Sequence, residues 1–142
     1  MRYVCDAPPH TWFQIETEAE ACIESRDMGH AVERHFRMEW DEASRSYVPP
    51  PSLHVVEQNI GLKAHIERTM PMFLTLRDNA GKGLVTAMLP SAGREDLSFR
   101  PIVVGFENSD PYDEFRPQIR ALADHFGLRL NRSRCYPYGR NR

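Results

Sequence analysis

The chain has 142 residues, 41% of them hydrophobic and 27% charged, with a formal net charge of −2. These values exclude a disordered chain, which could not bury enough apolar surface to offset its conformational entropy. No apolar run approaches the roughly 20 residues that cross a bilayer, and three cysteines with no close pair exclude a disulfide framework.

The N-terminal "MRYVCDAPPH" turns polar after a few positions and has no secretory core. A cytoplasmic protein with no membrane partner is therefore expected. The length fits a single domain over residues 1–142. Charge is unevenly spread: residues 1–71 carry 7 basic and 12 acidic side chains, and residues 72–142 carry 11 and 8. No acid follows Asp124, so residues 129–142 form a basic C-terminal segment. Of the 18 basic residues, 16 are arginine. Their spread along the whole chain reads as the codon usage of a GC-rich genome, as in many small bacterial proteins.

"RYVCD" (2–6) and "TWFQIE" (11–16) are short, aromatic and β-branched runs around "APPH", and predict two strands joined by a proline-fixed turn. Thr17 with Glu20 three positions later is a capping box that opens a helix. Cys22, Gly29, Val32, Phe36, Trp40, Ala43 and Tyr47 then recur at about 100° per residue. That stripe predicts one helix from about 18 to 46, ended by "VPPPS". At 1.5 Å per residue it would be about 40 Å long. Such a rod either bends near Gly29 or projects and packs on a second copy of the chain, which is the reason to expect a homodimer. On the stripe Trp40 is core, and Trp40→Ala is expected to cost about 3–5 kcal/mol. Cys5 and Cys22 read as small core residues.

Residues 53–70 combine helical and strand features, and a helix or turn is preferred. "MFLTLRD" and "LVTAMLP" flank "NAGKG" and predict a β-hairpin; "FRPIVVGF" (99–106) predicts a neighbouring strand. Asp110 and Pro111 announce a helix, with a restart at Pro117 because proline breaks a helix interior. Gly127 followed by Leu128 predicts its end, and "LRLN" a last strand. The fold class is then α+β. A mostly antiparallel sheet, made of an N-terminal hairpin and a central β-meander, packs on one long helix and a shorter C-terminal helix.

Chemistry-bearing patterns are sparse. "NAGKG" departs from a phosphate loop at Leu76 and Gly83, and reads as a turn. His54 and Glu57 lie one turn apart, with His65 further along the same side if the stretch is helical; together they form a candidate metal set. Cys135 sits amid Arg132 and Arg134, which could depress its pKa, and Asp124 and His125 could converge on it as a nucleophilic set. The acid pairs Asp41/Glu42, Glu95/Asp96 and Asp113/Glu114 fall on wet faces, in loops or at helix starts and suggest no acid–base dyad. Arg129, Arg132, Arg134 and Arg140 with Tyr136 and Tyr138 form a candidate single-stranded nucleic-acid surface of phosphate contacts and stacking rings. The competing reading makes these residues the edge of the core.

No catalytic motif is present, no cofactor is implied, and no small-molecule ligand is named by any motif. The expectation is a binding or regulatory protein, homodimeric through the long helix. A nucleic-acid-binding protein using the C-terminal segment is the first alternative. A small hydrolase or metal-dependent enzyme with dispersed His, Cys and Asp is the second. A pocket holding two or more histidines would favour the enzyme.

Overall fold

The two apolar runs around "NAGKG" do close on each other. The Asp78 carboxylate accepts from the amides of Ala80 and Lys82, both at 2.9 Å, and Gly81 takes the left-handed φ of 83° that the turn requires. In the computed structural model, which describes residues 1–51, 54–91, 96 and 98–136, this hairpin is the centre of a five-stranded antiparallel sheet. Its strands lie in chain order: β1 (Arg2–Ala7), β2 (His10–Ile15), β3 (Met72–Arg77), β4 (Gly83–Leu89) and β5 (Ile102–Val104). Three helices, α1 (Glu18–Met28), α2 (Val32–Arg45) and α3 (Val55–Thr69), come between β2 and β3; α4 (Tyr112–Phe126) follows β5. The class is α+β, as the pattern predicts.

Both faces of the sheet are covered, which explains why β3 reads as an unbroken buried run from Met72 to Leu76. On one face Trp12, Leu74, Leu76, Val85 and Leu89 pack with Ile119 and Leu122 of α4. On the other, Ile15, Phe73 and Met88 pack with Ala21 of α1, Phe36 of α2 and Ile66 of α3. Trp12 ties the first face together by donating its indole N–H to the Gln118 carbonyl at 2.8 Å.

The single helix predicted from 18 to 46 is two helices. The capping box opens α1 as expected, with the Glu20 amide on the Thr17 hydroxyl at 3.1 Å. Gly29 then ends α1 in the left-handed conformation, φ 67°, and the chain restarts at Val32. The bend removes the long rod from which a dimer was argued. It also resets the helical phase. Cys22, before the break, is exposed; within α2 Val32, Phe36 and Ala43 are buried and Trp40, at the edge of their face, is 40% exposed, so neither Cys22 nor Trp40 is core. Trp40 instead stacks on Phe36, with ring centroids 6.0 Å apart, at the edge of a surface cleft between the start of α1 and α2.

Residues 55–69 are helical, and Gly61 within α3 has a packing reason: a Cβ there would lie 2.2 Å from the Tyr47 hydroxyl. α4 runs through Pro117, with the distortion placed at Phe115 (φ −117°, ψ 24°) instead of a new start. Its first free amide, on Tyr112, is taken by the Asp110 carboxylate at 2.9 Å. Gly127 closes α4 at φ 67°, and the Leu128 amide turns back to the Ala123 carbonyl at 2.9 Å. That reversal sends Leu128 into the core, so "LRLN" is not a strand. The sheet edge at β5 is met later, by a parallel bridge from Tyr136 to Ile102. At the opposite edge β1 carries a bulge between Tyr3 and Cys5. Among the described residues, no helix is long and apolar enough to cross a membrane.

Candidate functional site

Three positions on one sheet face, Thr75, Arg77 and Thr86, are polar where their neighbours are apolar. Thr86 of β4 and Arg77 of β3 share the face of Phe73 and Met88, against α1. α1 answers with Glu24, a fully buried carboxylate. One Glu24 oxygen pairs with the Arg77 guanidinium and the other accepts from the Thr86 hydroxyl. Arg77 is held at its other end by the Gly81 carbonyl, 2.8 Å away, so the hairpin turn fixes its aim. A buried carboxylate is tolerated only with such partners.

The chain of contacts continues outward. His30 Nε2 lies 2.8 Å from Thr86 Oγ1, and the Val32 amide donates to His30 Nδ1 at 3.4 Å. Those partners fix the tautomer: Nε2 carries the proton and donates to Thr86, while Nδ1 accepts. The α1–α2 corner is built the same way, since the Ser25 hydroxyl accepts from the Glu33 amide at 3.1 Å. Ser25 and His30 together satisfy two of the four orphan amides at the start of α2.

Burial pushes the His30 pKa down; the charges of Glu24 and Glu33 act upward, and His35 acts downward with the burial. The folded value therefore lies below the unfolded value of about 6.5. Above about pH 6.5 the imidazole is neutral in both states. As pH falls through that value the unfolded chain binds a proton that the folded chain does not, so stability falls until the folded pKa is reached. Denaturation midpoints measured from about pH 7.5 downward should decline more steeply for the native chain than for His30→Gln. Parallel profiles would remove His30 from the acid response.

Beside this network, a cleft of about 360 Å³ opens between the α1–α2 corner and the β4–β5 side of the sheet. Its apolar wall is Phe73, Met88, Ile102 and Val104, with Val32 opposite; Thr86, His30, His35, Asn108 and Tyr136 bring polar atoms. The turn after β5 forms part of the rim. Glu107 and Asn108 both have positive φ, 52° and 61°, and Glu107 packs on Gly29, where an added Cβ would come within 3.0 Å of its Cγ. Two successive left-handed residues, neither a glycine, mark a strained turn, and strain of that kind clusters at binding sites.

The residues singled out from sequence lie elsewhere, apart from Tyr136. His54 precedes α3 and is exposed, as is Glu57; His65 is half-buried, with Nε2 2.7 Å from the Ser46 hydroxyl. Among the described residues no three His, Cys, Asp or Glu side chains are placed to hold a metal ion. Cys135 is buried, with its sulfur 3.2 Å from the Tyr112 hydroxyl and 3.3 Å from the Asn131 carbonyl. Burial raises its pKa, outweighing the lowering by the Tyr112 hydrogen bond and by Arg134 and Arg100, so it is not the activated thiolate its arginine neighbours suggest. His125 is exposed against Phe126 and Asp124 is exposed. Arg132 pairs with Asp110, Arg134 is half-buried and Arg129 exposed. The Tyr136 amide donates to the Pro101 carbonyl at 2.7 Å. Tyr138 and Arg140 lie outside the described residues, as does Glu95 of one acid pair. The chain matches no protein-family model, no curated protein and no solved structure.

Proposed function

We propose that the chain is a binding protein for a small, uncharged, largely apolar molecule held in the cleft beside Thr86. One observation carries this reading. None of the described residues lining the cleft is Asp, Glu, Lys or Arg, in a chain where 27% of residues are charged. A carboxylate or phosphate entering it would lose hydration with no cation in return. Apolar walls and a few convergent polar groups in about 300–1,000 Å³ are the usual make-up of small-molecule sites. The enzyme alternative gains a cleft with two histidines, but His30 has both nitrogens committed to structure. The nucleic-acid alternative has less support, because Arg132 is paired with Asp110 and Tyr136 is pinned at the sheet edge.

Ala31 tests the reading, since it lines the cleft yet is exposed at the start of α2. A neutral dye such as N-phenylnaphthylamine should bind the native chain with enhanced fluorescence. Ala31→Trp should weaken that binding by about tenfold or more, a loss of roughly 1.4 kcal/mol, while leaving the denaturation midpoint in place. Equal binding by both chains sinks the proposal.

A homodimer belongs to the same proposal, with its support on a different surface. Val56 and Ile60 lie one turn apart on α3 and are 69% and 65% exposed, and contiguous exposed apolar groups mark interaction surfaces. Light scattering at tens of micromolar should give twice the chain mass; the mass of one chain removes the dimer.

A further inference from the structure

The polar group that meets the ligand can be found by asking which polar groups of the cleft are already engaged. Thr86 donates to Glu24 and accepts from His30. His30 uses both ring nitrogens on Thr86 and Val32. Tyr136 has its amide on the Pro101 carbonyl, and its side chain is not without a partner. His35 lines the cleft from the exposed side of α2.

Asn108 lines the cleft from the exposed turn after β5. Its carboxamide makes no hydrogen bond with any described residue, yet its backbone is held firmly. The Asn108 amide donates to the Gly105 carbonyl at 3.2 Å, Ser109 to Phe106 at 3.0 Å, and Gly105 to Ser109 at 2.8 Å. Its neighbour Glu107 is braced against Gly29. Asparagine is among the few non-glycine residues that tolerate φ 61° readily. The turn thus presents a donor and an acceptor, side by side and without a partner among the described residues, at the rim of a cleft whose described lining residues include no Asp, Glu, Lys or Arg.

We propose that Asn108 is the specificity-determining residue of the cleft, and that the ligand's polar group is a carboxamide or lactam. An amide edge offers one acceptor and one donor in the reverse order of the asparagine edge, so both can be satisfied at once. An ester satisfies only the Asn108 N–H, and a carboxylate adds a charge that the cleft does not meet. This inference rests on the reading of the cleft as a site for neutral molecules, and the test separates the two.

Phenylacetamide, methyl phenylacetate and phenylacetate are titrated by NMR into the full chain and into Asn108→Gly. Glycine suits a positive φ, so the variant keeps the turn while losing the side chain. The native chain should bind the amide about tenfold tighter than the ester, a difference of roughly 1.4 kcal/mol, and the carboxylate weakest. Asn108→Gly should bind amide and ester equally. If the native chain binds amide and ester equally, the Asn108 assignment is overturned and the cleft reading stands. An amide preference that survives in Asn108→Gly also overturns it, with His35 as the group that reads the ligand. If neither neutral compound nor the dye binds, the cleft reading fails and takes this inference with it.

Discussion

Glu24→Ala should destabilise the fold by about 3–5 kcal/mol, because it leaves the Arg77 guanidinium buried without its anion. Arg77 is only 12% exposed at its side chain and Glu24 is fully buried, so water cannot replace the lost partner. The Thr86 hydroxyl loses its acceptor in the same step, and with it the group that orients His30. The effect should appear as a lower denaturation midpoint with an unchanged slope against denaturant. The double variant Glu24→Leu, Arg77→Met is the control. Removing both charges for apolar groups should recover most of the loss, since a well-packed apolar pair often equals a buried ion pair. A double variant as unstable as the single one would place the cost in packing, not in the stranded charge.

The two tryptophans should respond oppositely. Trp12→Ala is expected to cost about 3–5 kcal/mol, as for a fully buried aromatic side chain, and it also strands the Gln118 carbonyl. Trp40→Ala should cost far less, about 1 kcal/mol or below, since the ring is 40% exposed and loses mainly its stack on Phe36. Urea midpoints of the two variants decide the matter. Similar losses would return Trp40 to the core.

That reversal shows how a helical stripe misleads at its edge and across a helix break. A stripe at 100° per residue holds only while the helix is continuous. Gly29 breaks it for Cys22, but Trp40 lies in the same helix as Val32, Phe36 and Ala43; those three fall within about 40° of one another, and Trp40, about 80° from Val32, is at the edge of their face. Elements fixed by neighbours in sequence were legible: the hairpin around "NAGKG", the Thr17–Glu20 box and the Gly127–Leu128 stop. The Glu24–Thr86–His30 network was not, because its members are 53 or more residues apart from their strand partners and meet only when α1 lies on the sheet. One signal was available. Arg77 continues the alternation of Phe73 and Thr75, and a charge at a core-facing strand position calls for an acid across from it. Asn108 gave no such signal, since nothing in "GFENSD" announces two left-handed residues in succession.

The edges of the sheet limit how copies of this chain can join. At one end the bulge beside Val4 twists β1 and unsettles its outer ladder, with Arg2 and Asp6 adding charge along it. At the other end Tyr136 bridges Ile102 of β5 and takes up part of that strand's outer edge. Continuous growth of the sheet from molecule to molecule is thereby discouraged in both directions.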